Sequence, residues 1–182
     1  AANSSSNIWS TSLLNKINLN TNYLNNIGTT WSNMIEDTTW KVSGHSISSV
    51  TSTEMYTREI TNATKAYGPS NGTSKIGLMY ASDYGFAASP SAWTTTLYNY
   101  SDNDANGTSI QTINWMNMGH NEWTISPYSS SSSNVLHLYR NGALSANFAI
   151  NGYGSRPVLY LKSSVLYAGG SGTKDSPITL AV

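Results

Sequence analysis

Val135-Leu136-His137-Leu138-Tyr139-Arg140-Asn141-Gly142-Ala143-Leu144-Ser145-Ala146-Asn147-Phe148-Ala149-Ile150 is the stretch that decides the fold. Leu136 and Leu138 alternate with Val135, His137 and Tyr139, the period of two that an extended strand imposes. Asn141-Gly142 then supplies a hairpin turn, because both residues tolerate the left-handed backbone of a tight reversal. The returning strand sets Leu144, Ala146, Phe148 and Ile150 on one face and Ser145, Asn147 and Asn151 on the other. The first face is expected to be core. The second, with His137 and Tyr139, is expected to be polar and open to a ligand.

Working outward, Lys75–Tyr80, Trp123–Ser126, Pro157–Leu161, Val165–Tyr167 and Ile178–Leu180 read as further strands, punctuated by Gly, Pro and Asn. Gly169-Gly170-Ser171-Gly172 reads as the turn between the last two. The serines at 129–133 form a low-complexity loop, expected to be mobile, as are residues 1–8. Before Trp40 the period is helical instead. Trp9, Leu13 and Ile17 recur every fourth residue, with Leu14 beside them. Tyr23, Leu24 and Ile27 follow, with Asn20 or Thr21 as cap and Gly28 as stop. Trp31, Met34 and Ile35 come next, behind Thr29 or Thr30. Trp9, Trp31, Trp40 and Trp123 are expected in the core. The fold class expected is α+β, with short N-terminal helices followed by antiparallel strands and long loops in one domain over 1–182.

Composition narrows the function. The 182 residues carry no net charge and only 10% charged side chains, with no cysteine. Scattered Lys and Arg without a basic face give no nucleic-acid footprint. Without cysteine there is no disulfide framework, thiolate metal site or Cys nucleophile. No apolar run reaches the roughly 18 residues of a membrane span, so this segment is expected not to insert in a membrane. Ser, Thr and Asn supply 71 residues, and there are twelve tyrosines and six tryptophans. Such a surface suits an exported, β-rich protein.

Four features could carry chemistry. Asp102-Asn103-Asp104-Ala105-Asn106-Gly107 matches the start of a calcium loop, with Asp102, Asp104 and Asn106 as candidate ligands. The twelfth position is Ile113, where such a loop needs Glu, so an Asx-rich turn is the competing reading. Arg156 opens a strand and needs a carboxylate partner, for which Glu122 and Asp83 are the candidates. His45, His120 and His137 are the only histidines, no G-x-S-x-G elbow exists, and no carboxylate pair stands out, so no catalytic residue is assigned. Exposed tyrosine or tryptophan rings could stack on sugars. The loop candidates are Tyr84, Trp93, Tyr98, Tyr100, Tyr128, Tyr139 and Tyr153.

The series Trp9-x-x-Ser12-x-Leu14, Tyr23-Leu24-Asn25, Trp40-x-Val42-x-Gly44, Gly77–Gly85, Glu122-Trp123-Thr124-Ile125-Ser126-Pro127 and Gly154-x-Arg156-Pro157-Val158-Leu159-Tyr160-Leu161 resembles one family. It is similar to the "Fibrobacter succinogenes major paralogous" type of domain, a bacterial relative of C-type-lectin-like and formylglycine-generating-enzyme-like folds. The resemblance runs from Trp9 to the C-terminus. It implies an irregular C-type-lectin-like domain, extracellular, on a bacterial cell surface or pilus, acting as an adhesin without catalysis. Its partners would be a host or cell-surface protein, a glycan, or other subunits of a surface filament.

Related lectin-like proteins of diversity-generating retroelements vary a C-terminal ligand face. Here that face would hold Tyr128, His137, Tyr139, Asn141, Ser145, Asn147, Asn151 and Tyr153. Three departures bound the transfer. The sulfatase-modifying relatives need cysteines, absent here. The calcium-dependent sugar motif of animal lectins is absent too. The strand that usually precedes the Trp-x-x-Ser helix is not evident, so an open sheet edge able to accept a strand is expected.

Overall fold

The computed structural model describes residues 6–61 and 71–181. A 3-10 turn over Trp9–Thr11 leads into a helix over Leu14–Tyr23 wound with i→i+5 bonds. Helix α1 (Leu24–Met34) continues it and breaks at Gly28 (φ 82°). Strand β1 (Thr38–Lys41), helix α2 (Ser52–Tyr56), and strands β2 (Asn71–Ser74) and β3 (Ile76–Leu78) follow. Then come α3 (Ala81–Phe86), the short α4 (Ile110–Ile113), β4 (Glu122–Pro127), β5 (Asn134–Leu138) and β6 (Leu144–Phe148). Strands β7 (Gly154–Ser155), β8 (Pro157–Leu159), β9 (Leu166–Gly169) and β10 (Thr179–Ala181) close the chain. The class is α+β.

The main sheet has the order β6-β5-β4-β7, antiparallel except for the β4–β7 pair. Strands β1–β2, β3–β8 and β9–β10 form three antiparallel pairs. The Ile125 N–H donates to the Met79 carbonyl at 2.9 Å, joining the end of β3 to the main sheet.

Two hydrophobic clusters lie against this sheet. One gathers Met55, Tyr84, Leu97, Tyr100, Ile110, Leu136, Leu138 and Leu144. The other gathers Trp9, Leu19, Trp40, Ile76, Leu78, Trp123 and Ile125. All six residues of β4 are buried although they alternate polar with apolar, because the polar ones find partners inside: Glu122 pairs with Arg156, Thr124 donates to the Leu136 carbonyl and Ser126 donates to Glu59.

The N-terminal helix corrects the expected face. Leu13 and Ile17 are exposed, whereas Asn15 and Leu19 are buried. With i→i+5 winding, side chains five apart align. Asn20 donates to the Asn15 side chain at 2.7 Å, and Thr21 to the Lys16 carbonyl at 2.8 Å. Asn20 is therefore no cap. Its amide instead brackets Ile76, donating to the carbonyl and accepting from the N–H, both at 2.9 Å. Trp31, expected in the core, is 53% exposed; Trp9, Trp40 and Trp123 are buried there as expected.

Asn7, assigned to a flexible tail, is instead pinned. Its N–H donates to the Ser132 carbonyl, and its side chain to the carbonyls of Ser131 and Asn134. The serine loop expected to be mobile is thus bonded to the N-terminal segment. Residues 1–5 of that tail, residues 62–70 and residue 182 lie outside the described residues. Among the described residues no helix is long and apolar enough to cross a membrane.

Candidate functional site

The β5–β6 hairpin forms with the expected register, His137 opposite Ser145 and Leu138 opposite Leu144. Its turn differs in type. Gly142 has φ 87°, while Asn141 keeps a negative φ. A two-residue type I′ turn needs positive φ at both positions, so the loop takes three residues. The Tyr139 N–H donates to the Ala143 carbonyl, and the Gly142 N–H to the Tyr139 carbonyl, both at 2.8 Å. Asn141 closes the turn through its own side chain, which accepts the Ala143 N–H at 3.1 Å.

Other elements hold this turn from behind. The Tyr84 hydroxyl donates to the Gly142 carbonyl at 2.7 Å. Gln111 donates to the Asn141 carbonyl, and Asn121 accepts the Arg140 N–H at 2.9 Å. A methyl on Gly142 would meet the Gln111 side chain at 2.7 Å.

Beside the turn runs a groove of about 420 Å³ between Tyr98–Asp102 and Tyr139–Ser145. Tyr98 is exposed on one wall. Asn99 and Asp102 line the same wall, and Tyr139, Asn141 and Ser145 the other. The Arg140 guanidinium lies 5.5 Å from the Tyr139 ring centre and steadies it. The groove lining contains one carboxylate and no histidine.

Three of the eight ligand candidates, Tyr139, Asn141 and Ser145, therefore share one concave surface, together with Tyr98 from the list of stacking tyrosines. Asn99 was not foreseen, since nothing in its local sequence marks it. Tyr84 and Tyr100, also read as loop tyrosines, are fully buried.

The remaining candidates lie elsewhere, and His137 needs correction. It is 1% exposed, not a surface residue. Trp123 and Tyr153 cover it, with ring centres at 5.7 and 4.8 Å. Its Nδ1–H donates to the Leu138 carbonyl at 3.0 Å, and burial lowers its pKa. Asn147 donates to the Tyr153 hydroxyl at 2.7 Å, so these residues build a second core layer behind the sheet. Tyr128 packs against the first cluster. Asn151 sits in the turn after β6, its N–H on the Phe148 carbonyl. Phe148 and Ile150, expected in the core, are 53% and 57% exposed, because the first cluster ends near Ala146.

The proposed calcium loop is an Asx turn. One Asp104 carboxylate oxygen accepts the N–H groups of Asn106 and Thr108, and the other accepts the Ser91 hydroxyl at 2.5 Å. These bonds hold the Asp104 carboxyl below its usual range. Both oxygens face protein donors. Asp102 takes the Ser101 hydroxyl, and Asn106 is exposed.

Arg156 pairs with buried Glu122 at 2.5 Å and donates to the Met116 carbonyl at 3.0 Å. Asp83, the other candidate, accepts the Tyr80 N–H at the start of α3.

Glu59 had no signal in the sequence. It is fully buried, accepts the N–H groups of Ala81 and Ser82 at 3.1 Å, and takes the Ser126 hydroxyl. Burial pushes its pKa up to about 7. It tethers the first turn of α3, and no ligand surface reaches it.

Comparisons of this chain with protein-family models, with curated proteins and with solved structures found no match.

Proposed function

We propose that this chain is a non-catalytic binding domain, of C-type-lectin-like character, displayed outside a bacterial cell as an adhesin, and that its groove takes a neutral saccharide. The observation that carries the reading is the groove itself. Tyr98 offers a ring face for the C–H face of a pyranose. Tyr139, Asn99, Asn141 and Ser145 offer hydroxyl and amide groups that match sugar hydroxyls, and Asp102 adds an acceptor. The turn beneath them is fixed before any ligand arrives, which lowers the entropic cost of binding. A single carboxylate in the lining, with neither a histidine nor a second carboxylate beside it, favours binding over hydrolysis. Low charge and the abundance of Ser, Thr, Asn, Tyr and Trp support export, and the resemblance of the Glu122–Pro127 and Gly154–Leu161 blocks supports surface display.

The test is titration of neutral and acidic oligosaccharides into the wild type and into Tyr98→Ala and Tyr139→Ala. Saturable binding of a neutral sugar, weakened tenfold or more in both variants, is expected. Binding unaffected by either variant, or no binding to any sugar, would overturn the assignment. A second reading, a filament subunit, is favoured by one observation: the C-terminal ribbon holds its apolar side chains in solvent.

A further inference from the structure

The sequence holds four Asn-Gly steps: Asn71-Gly72, Asn106-Gly107, Asn141-Gly142 and Asn151-Gly152. Each carries the groups for one reaction, attack of the glycine nitrogen on the asparagine side-chain carbonyl. Glycine favours it, because its nitrogen is uncrowded and its backbone adaptable. The nitrogen must lose its proton and swing toward the side chain. The fold treats the four steps differently.

Asn71-Gly72 is held in β2, paired with Lys41 and Trp40 of β1. The Gly107 N–H donates to the Asp104 carbonyl at 3.0 Å, and the Asp104 carboxylate, bonded to the Asn106 N–H, opposes loss of a proton there. The Gly142 N–H donates to the Tyr139 carbonyl, the Asn141 side chain accepts the Ala143 N–H, and Gln111, Tyr100 and Tyr84 crowd Gly142. Asn151-Gly152 has none of these restraints. The chain bends at Asn151. Among the described residues, neither the Gly152 N–H nor the Asn151 side chain takes part in a hydrogen bond. Gly152 is exposed, and nothing lies within 4 Å of where a Cβ would stand.

We propose that Asn151 is a site of spontaneous covalent modification, where the folded chain converts to aspartate and isoaspartate. The deprotonated Gly152 nitrogen attacks the Asn151 Cγ. The new N–Cγ bond closes a succinimide ring, and the side-chain amide leaves as ammonia, taking the proton. Water then opens the ring. Attack at Cγ breaks the N–Cγ bond and leaves aspartate. Attack at the backbone carbonyl carbon leaves isoaspartate, whose main chain runs through Cγ with an added methylene. Either product gives a negative charge to a chain that has no net charge. Isoaspartate also lengthens the link between β6 and β7. That change falls two residues before Tyr153, which covers His137 and is tied to Asn147. The turn follows the end of β6 remote from the Asn141 tip, so the saccharide groove is untouched.

The test is incubation of the folded chain at mildly alkaline pH in heavy-oxygen water, followed by peptide mapping. Only conversion during the incubation then carries the label. Asn151 should label at least about fivefold faster than Asn71, Asn106 and Asn141, the factor for a hydrogen bond that must first break. Isoaspartate should be among the products. In the urea-unfolded chain the four steps should label at similar rates, since only the fold separates them. Asn151→Gln should abolish the label and Gly152→Ala should slow it, both with unchanged circular dichroism. Labelling of Asn106 or Asn141 as fast as Asn151 in the folded chain would overturn the proposal. So would an Asn151 that stays unlabelled in the folded chain while the unfolded chain labels.

Discussion

The hydroxyl of Tyr84 donates to the carbonyl of Gly142 at 2.7 Å, across 58 residues of sequence. A fully buried phenol in the first turns of α3 thereby sets the height of the hairpin tip that walls the groove. Tyr84→Phe keeps the packing and removes the donor. The Gly142 carbonyl then lacks that partner, at a cost of roughly 1–3 kcal/mol. For a chain of this size that is about 2–4 °C of melting temperature per kcal/mol. Calorimetry checks it, and saccharide affinity should fall together with stability.

The Arg156–Glu122 pair is predicted to behave asymmetrically. Arg156→Met leaves the Glu122 carboxylate buried without its guanidinium, and should cost about 3 kcal/mol in urea unfolding. Glu122→Gln leaves Arg156, itself partly exposed, free to hydrate, and should cost about 1 kcal/mol. Equal losses would mean that the pair acts as packing rather than as charge.

Glu59 predicts a pH dependence. Its folded-state pKa stands near 7, above the 4.5 of the exposed group. The folded state therefore binds the proton more tightly than the unfolded one. The stabilisation is complete below about pH 4.5 and is lost as pH rises through 7. Glu59→Gln keeps an acceptor for only one of the Ala81 and Ser82 N–H groups, so it lowers stability at every pH, but it should flatten the pH dependence between pH 5 and 8, which in the wild type amounts to at most ~3 kcal/mol. His137 works the other way. Burial lowers its pKa, so its share of stability is lost as pH falls below about 6.5. His137→Gln should remove that acid-side loss while lowering stability at every pH, since the ring packed against Trp123 and Tyr153 goes with it.

Gly77 gives a packing prediction. A methyl there would lie 2.6 Å from the Trp40 ring, itself 1% exposed and tied to the Ser74 carbonyl by its indole N–H. Gly77→Ala should cost at least ~1–3 kcal/mol, seen as a lower urea midpoint at unchanged slope.

The hairpin was legible because its signals were local: alternation, then Asn-Gly. The faces were not, because Tyr153 and Trp123 reach over His137 from distant strands, and alternation says nothing about what covers a face. At the N-terminus the helical character and the break at Gly28 could be read, but not that the winding runs unbroken from Leu14 to that break, past the cap expected at Asn20 or Thr21. The buried side could not, since the i→i+4 spacing of Trp9, Leu13 and Ile17 assumes 3.6 residues per turn and the chain winds wider. The capping box of α2, Thr51-Ser52-Thr53-Glu54, is a local signal of the same legible kind. The partnership of Arg156 with a carboxylate followed from the scarcity of charge, but only the fold distinguished Glu122 from Asp83. Glu59 could not have been found, because its partners are backbone groups 22 and 23 residues away.

Tyr98, Asn99, Tyr139 and Ser145 face the groove, yet none of their side chains takes part in a hydrogen bond among the described residues. The bonds that hold the walls come from Tyr84, Gln111, Asn121 and the backbone. Asn141 apart, whose side chain both lines the groove and closes the turn, the side chains that face the groove and those that keep it standing are thus at different positions. Exchanging those four side chains should cost about 0.5 kcal/mol each or less, making the tip a replaceable face on a permanent mount, open to randomisation without refolding the rest.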